Sequence, residues 1–437
     1  MLLNKWLSSV ADVGREMLSR KNDTRKSKTL EEYCADLMSN KGEALGTAIA
    51  NEVAAAYQAA DDEKKLSFFH HLIDCYSPDP DAVVELANAY RNEPNYESYV
   101  ALSSAIEAPR QKLFKRMNMA TQGTEVIVSL RKDFLRLVKN HPELKPIDFD
   151  LLHLLKSWFN RGFLTIAEID WNTPAVILEK LIEYEAVHFM SGWNDLKKRL
   201  GPNRRCYAFF HASLPNEPLI FVEVALVNGL AGSIEPLIDP DPQSEKGDAD
   251  VDTAIFYSIS NCQAGLAGIS FGNFLIKQVV MELKKEFPEL TQFSTLSPIP
   301  SFRRWLSQEL DNKESTFLTQ SNRSTLSLLS ETDWSTSQEH CELLQPVLTK
   351  LCAHYIVNAK KANKPYDPVT RFHLGNGARV ERLNWMGDKS TKGLSQSAGL
   401  LVNYFYAIDE VEKNHEAFVN QGTIAYSKDI SKFLLAN

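Results

Sequence analysis

AIFYSISNCQAGLAGISFGNFLIKQVVMELKKEFPELTQFSTLSPIP, residues 254–300, decides the fold class of this chain. Ala254 to Ser260 is short, apolar and rich in isoleucine and aromatic residues, which predicts a buried strand. Gly265, Gly268 and Gly272 punctuate the next stretch, and glycine lets a backbone turn tightly and approach a ligand. Phe274-Leu275-Ile276, Val279-Val280 and Leu283 then recur at helical spacing, so the glycines lead into a helix N-terminus. Exposed amides and the positive end of the helix dipole make such a terminus a phosphate site. Phe287-Pro288 marks the helix exit, and Gln292 to Leu296 predicts a second strand. Ser297-Pro298-Ile299-Pro300 stands at its carboxyl end, where open α/β sheets bind ligands.

The glycine pattern has little specificity by itself. It matches neither the dinucleotide fingerprint nor the P-loop, which ends in Gly-Lys-Ser/Thr. Against the acetyltransferase-type coenzyme A loop, Arg/Gln-x-x-Gly-x-Gly/Ala, the register ending at Gly272 has Ala267 and Ser270 where Arg/Gln and Gly belong. A plain strand-to-helix turn uses the same glycines.

Longer blocks carry more information. QAGLAGISFGNFLIK, STLSPIPSFRRWL and RFHLGNGARVERLNWMGDKS, with SFFHHLIDCYSPD, GPNRRCYAFFH and AGLLVNYFY in order around them, closely resemble the malonyl-CoA decarboxylase family. The resemblance covers most of the chain and is strongest from about Trp171 to Tyr406. It implies conversion of malonyl-CoA to acetyl-CoA and carbon dioxide by a carboxy-lyase, with a role in malonyl-CoA turnover and fatty acid metabolism. Ser297 in SPIP and His373 in RFHLGNGA carry over as the catalytic pair, the serine as proton acceptor and the histidine as proton donor. Ala267, Gly268, Ile269, Ser270, Phe271, Gly272 and Asn273 carry over as the coenzyme A loop. Family members use the helical half to self-associate, so a homotetramer is expected. Taken without the resemblance, Ser297 is a turn or N-cap serine and His373 a satisfied structural histidine.

With 437 residues the chain has room for two or three domains, and 44% hydrophobic against 24% charged residues is the composition of an ordinary globular protein. A formal charge of −8 provides no general basic footprint for nucleic acid, so an anionic coenzyme has to be met by local amides and a few cations. The six cysteines, at 34, 75, 206, 262, 341 and 352, contain no Cys-x-x-Cys pair, which argues for reduced structural thiols over zinc or redox chemistry. No apolar run reaches the roughly 18 residues of a membrane span. MLLNKWLSSVADVGREMLSRK is amphipathic and somewhat basic, but Asp12 and Glu16 weaken it as a transit peptide. Leu434-Leu435-Ala436-Asn437 lacks the Ser-Lys-Leu peroxisomal address, and cytoplasm is the expected location.

From Leu3 to about Leu155 the pattern is helical, with Leu66, Phe69 and Ile73 on one stripe and Ser77-Pro78-Asp79-Pro80 as a break. Adjacent His70 and His71 point about 100 degrees apart on a helix, and no carboxylate pattern completes a metal site there. Cys206 to His211 and Leu219 to Leu226 predict a hairpin that opens a mixed sheet. Glu223 interrupts the run IFVEVAL; it is either a strand base, as in some acetyltransferases, or an edge-facing or salt-bridged carboxylate. Asp239 to Asp252 is acidic and turn-rich, which predicts a mobile surface loop. Val380 to Trp385 and Leu400 to Tyr406 complete the sheet; either Tyr404, as a substrate-binding residue, lines the acyl pocket with Tyr406 and Asn384, or the tyrosines are core aromatics at alternating strand positions. The expected architecture is therefore α+β: an all-helical oligomerisation domain, 1–155, followed by an acetyltransferase-like (GNAT-type) α/β catalytic domain with a mixed sheet, 156–437.

Loss of carbon dioxide from malonyl-CoA leaves an electron pair that the thioester carbonyl accepts as an enolate. The substrate carries its own electron sink, so neither metal, biotin nor pyridoxal phosphate is expected. Two rivals stand beside this reading. An acyl-CoA N-acyltransferase would lean on Glu223, and a non-catalytic malonyl-CoA-binding regulator would tolerate changes at Ser297 and His373. A serine hydrolase lacks its Gly-x-Ser-x-Gly elbow around Ser297.

Overall fold

The computed structural model describes residues 28–39, 42–240, 251–269, 272–312 and 318–434. The amphipathic N-terminal stretch 1–21, most of the acidic loop (241–250), Ser270 and Phe271 of the glycine-rich stretch, and the last three residues lie outside them. Two compact units emerge. One contains the described residues up to Leu164 with 211–215 and 263–269; the other contains 165–210, 216–262 and 272–434.

Among the described residues the first unit has eight α-helices: Leu30–Met38, Glu43–Ala59, Asp62–Cys75, Pro80–Asn92, Tyr96–Ile106, Pro109–Met117, Gly123–Leu137 and Lys145–Trp158. Their starts are written in the sequence. Thr29 and Glu32 form a reciprocal capping box, Asp61 accepts from the Lys64 amide, and Asp79 caps a helix whose first residue is Pro80. The Asp62–Cys75 helix buries Phe68, Phe69 and Leu72 completely, while Leu66 and Ile73 are only partly covered. The stripe is rotated from the one expected because Tyr57 of the neighbouring helix packs edge-on against Phe68, and Phe134 against Phe69 at 5.1 Å. At His141-Pro142 the chain turns through two short 3-10 segments, Val138–Asn140 and Pro142–Leu144, before the next helix begins.

The second unit carries the sheet. Its strands are β1 (Leu164–Ile169), β2 (Arg204–His211), β3 (Ile220–Val227), β4 (Thr253–Asn261), β5 (Gln292–Thr295), β6 (Ser297–Pro298), β9 (Arg379–Asn384) and β10 (Leu401–Phe405); β7 (Lys360–Lys361) and β8 (Lys364–Pro365) form a separate ribbon. The order is β1-β2-β3-β4-β5-β10-β6, with β9 also on β10. β2, β3 and β4 pair antiparallel, β4 and β5 parallel across the helix Gly272–Glu286, and β10 antiparallel to β5, β6 and β9. This is the mixed sheet of the expected α+β chain.

One detail of register creates the site. β4 and β5 stay paired as far as Phe256 and Thr295. Beyond Thr295 the chain follows β10, placing Ser297 opposite Val402, whereas β4 runs on beside β3 alone. The β3–β4 ladder shifts between Glu223 and Val224, so Tyr257 is an extra residue on β4 and the strand bends there. The two strands fork, and the fork is open.

All six cysteines are unpaired thiols, and Cys34, Cys206, Cys262 and Cys352 are buried. Among the described residues no helix is long and apolar enough to cross a membrane.

Candidate active site

Ser297 is presented at the fork by β6, two residues after Thr295. His373 comes from the helix Pro368–Gly375, whose start is fixed by Asp367 accepting from the Val369 and Thr370 amides and by Pro368 at the first position. The Asp367 carboxyl also accepts from the Tyr355 hydroxyl and is 1% exposed, so the cap is part of the core. These elements bring residues 76 positions apart into contact: Ser297 Oγ lies 3.1 Å from His373 Nε2. The pair lies on a cavity of about 350 Å3 whose lining includes Val187, Tyr257, Asn261 and Pro298.

A hydrogen-bonded line runs through the pair. Ser297 donates to Thr295 Oγ1 at 2.8 Å, and Thr295 Oγ1 also accepts from the Tyr404 amide. With its proton so directed, Ser297 Oγ accepts from His373 Nε2–H, and Nδ1 is left to accept from the Tyr406 hydroxyl at 2.8 Å. Burial holds the imidazole neutral by pushing its pKa down to about 3, and burial raises the Tyr406 and Tyr404 phenols well above their ordinary value. The arrangement therefore sets Ser297 Oγ at the cavity between a neutral imidazole N–H and the Thr295 hydroxyl, and a ligand hydroxyl or carboxylate that takes the Ser297 proton has to displace its bond to Thr295.

Tyr404 is fully buried and stacks on the imidazole, centroids 4.6 Å apart and planes 23° apart, with its hydroxyl 2.7 Å from Thr370 Oγ1. The structure thus places it behind His373, holding the ring. Tyr406 and Tyr404 stand two apart on one face of the same strand run, so both reach His373. Asn384 is tied to Asn403 and Arg382. The signals for these supporting roles were faint: Thr295 reads as an ordinary strand residue, and Asp367-Pro368 as a helix start with no chemistry attached.

Glu223 is away from the cavity's lining. It is 1% exposed and accepts from Arg199 Nη1 at 2.7 Å, the salt-bridged alternative of the two. Burial pushes its carboxyl up to about 8, against the pull of Arg199. Lys277 pairs with Glu412 at the surface. Just before the stretch 267–273 expected to bind coenzyme A, Ala264–Leu266 forms a 3-10 turn, and within that stretch Gly268 has a left-handed φ of 80°. Gly272 and Asn273 open the following helix by their backbone. His71 turns towards Cys75 and Tyr76, but His70 meets His141 and Glu143, the three donor atoms lying within 4.8 Å of one another. The trio is a half-exposed, hydrogen-bonded cluster in the helical unit.

Comparison with known proteins bears on this geometry. The profile described as "Malonyl-CoA decarboxylase C-terminal domain" matches residues 162–437, and "Malonyl-CoA decarboxylase N-terminal domain" matches 76–159. The chain belongs to the malonyl-CoA decarboxylase family. It is 39% identical over 347 residues to the mitochondrial malonyl-CoA decarboxylase of Rattus norvegicus, a stretch covering 74% of this chain and 70% of that protein. The corresponding figures for Anser anser anser are 37% over 350 residues, 75% and 69%. Among solved structures, malonyl-CoA decarboxylase from Rhodopseudomonas palustris superposes with a TM-score of 0.88 at 47% identity, covering 92% of this chain and 98% of the other. That from Agrobacterium vitis gives 0.88 at 44%, with 92% and 99% covered.

Proposed function

We propose that the chain converts malonyl-CoA to acetyl-CoA and carbon dioxide, with Ser297 and His373 as its catalytic residues. The observation that carries this reading is the buried 3.1 Å contact between Ser297 Oγ and His373 Nε2 beside the cavity, in a chain of this family. The carboxylate–Cα bond breaks, its electron pair enters the thioester as an enolate, and carbon dioxide leaves. One proton then forms the new C–H bond, so one proton is consumed per turnover. Ser297 holds the malonyl group by hydrogen bonding and relays: its Oγ–H proton goes to the α-carbon, Oγ takes the His373 Nε2 proton in its place, the Tyr406 hydroxyl proton passes to Nδ1, and solvent returns one proton to Tyr406. No metal, biotin or pyridoxal phosphate enters these steps, because the thioester carbonyl accepts the electrons. Ala267 to Asn273 binds the coenzyme.

Purified protein incubated with malonyl-CoA in D2O and EDTA is expected to release carbon dioxide and acetyl-CoA carrying one new deuterium, read by mass spectrometry. Malonyl-CoA bound but left intact would favour a regulator. A requirement for added metal would remove the cofactor-free step.

We also infer self-association through the helical unit, as a homotetramer. The helices Pro80–Asn92 and Tyr96–Ile106 contain no buried residue, yet they expose Val84, Tyr96, Tyr99, Val100 and Ile106. Such an apolar surface on one helical hairpin is what an assembly interface supplies. Light scattering on the eluting protein is expected to give a tetramer, and Val84→Glu with Tyr99→Glu a smaller species. A monodisperse monomer at micromolar concentration overturns this.

A further inference from the structure

Arg131, in the middle of the helix Gly123–Leu137, is 2% exposed, and two of its three hydrogen bonds go to the backbone of the glycine-rich turn. Its Nη1 donates to the carbonyls of Gly265 and Ala267, each at 2.7 Å, while Nε donates to Asp148 Oδ1 at 2.8 Å. All of these groups belong to the helical unit. The turn lies so close on the helix that a Cβ built on Gly265 would stand 1.9 Å from the carbonyl oxygen of Val128, one helical turn before Arg131. Only a glycine allows that approach, and only a long, planar, permanently charged side chain reaches both carbonyls from beneath.

We propose that Arg131 is a positioning residue for coenzyme A binding, acting by orienting the peptide planes of this turn. In a trans peptide the C=O and N–H point in opposite directions. A guanidinium that captures the Ala267 carbonyl therefore turns the Gly268 N–H away from itself, out of the turn. The Gly265 carbonyl fixes the Gly265–Leu266 plane, two planes earlier, in the same way, and the Leu266 amide closes on Gln263 O. Gly268, at φ 80°, then lets Ile269 N–H bond back to Leu266 O. The charge behind the peptide also polarises it, which strengthens its N–H as a donor to an anion. Asp148 holds the guanidinium in register. The chemical class addressed is the phosphate portion of a coenzyme A ester. The inference rests on the reading of Ala267 to Asn273 as the coenzyme A loop.

The test uses the full chain, with malonyl-CoA turnover, 3′,5′-ADP binding by calorimetry, and thermal melting. Arg131→Met is expected to raise KM and the Kd of 3′,5′-ADP at least about tenfold, while kcat at saturation stays within about threefold. Arg131→Lys, which keeps the charge without the fork, is expected to fall between. A merely structural arginine would lower melting temperature or active fraction and leave Kd and KM of the folded enzyme unchanged, and that result overturns the proposal. If Arg131→Met does not fold, Arg131→Lys and Asp148→Asn decide: raised Kd with unchanged kcat supports the role, and unchanged Kd in both ends it. Ala267→Asp separates the two readings. Unaltered Kd in Ala267→Asp removes the loop assignment itself, whereas lost binding there with unaltered Kd in the Arg131 variants removes only the role of Arg131.

Discussion

His373→Ala is expected to lower kcat by about 10²–10⁴-fold, the usual cost of removing a general acid, while leaving the affinity for coenzyme A nearly unchanged. The ring touches the proposed reacting group through Ser297 Oγ and is oriented by Tyr406 and Tyr404, none of which belongs to the coenzyme loop. Steady-state turnover and calorimetry with coenzyme A check both halves of the expectation; a variant with undiminished kcat would sink the proton-donor role. The pH profile adds a second readout. An exposed histidine would lose its proton near pH 6.5 and impose a limb there. Burial holds His373 at about 3, so the neutral donor is present throughout the physiological range and kcat/KM should carry no limb near 6.5 from this group. The same displacement affects folding. Between pH 6.5 and about 3 the unfolded chain takes up a proton on His373 that the folded chain refuses, so stability falls as pH falls. His373→Ala removes that contribution and should flatten the acid limb of a urea midpoint measured against pH.

Local chemistry made much of the fold legible and left the site's assembly obscure. The β4 strand, the glycine turn and the helix beginning at Gly272 were readable because apolar period and glycine punctuation are properties of neighbouring residues. The caps at Thr29, Asp61 and Asp79 are local as well, although the stretch 77–80 reads as a break with no cap assigned to Asp79. Ser297 was recognisable as a strand-end residue from the prolines that follow it. Its meeting with His373 was not recoverable from spacing, since the contact depends on β6 pairing with β10 and on the packing of a helix 76 residues away; only resemblance to a family joined them. Thr295 and Tyr406 acquire roles solely through that contact. Arg131 was invisible for a different reason. A basic residue on an amphipathic helix reads as a solvated face, and nothing in the helix says that two backbone carbonyls wait above it.

Arg199→Met is expected to destabilise the protein by about 3–5 kcal/mol, because it strips the partner from a buried carboxyl without removing the carboxyl. Arg199 is 2% exposed and Glu223 1%; besides the ion pair, Nη2 donates to the His188 carbonyl at 3.0 Å. Nearby, Glu185 accepts from the amides of Val187 and His188 and from Ser258, so the same polar layer backs the cavity wall at Val187. Glu223, raised by burial to about 8, keeps in the folded state a proton that the unfolded chain releases from about 4.5 upward. Stability from this group is therefore complete below about 4.5 and is lost as pH rises towards 8. Without Arg199 the one large influence lowering that value disappears, the window extends upward, and the penalty should grow with pH. Urea unfolding at pH 5 and pH 8 measures it: a larger loss at pH 8 is expected, and equal losses would contradict the argument. Arg199→Met combined with Glu223→Leu should recover most of the stability, since an apolar pair of similar volume leaves no orphaned charge. Glu223→Gln, which can still accept from Arg199, should keep decarboxylation, whereas a catalytic base at this position would lose it; the ion pair then acts on the reaction only by holding the wall on which the substrate lies.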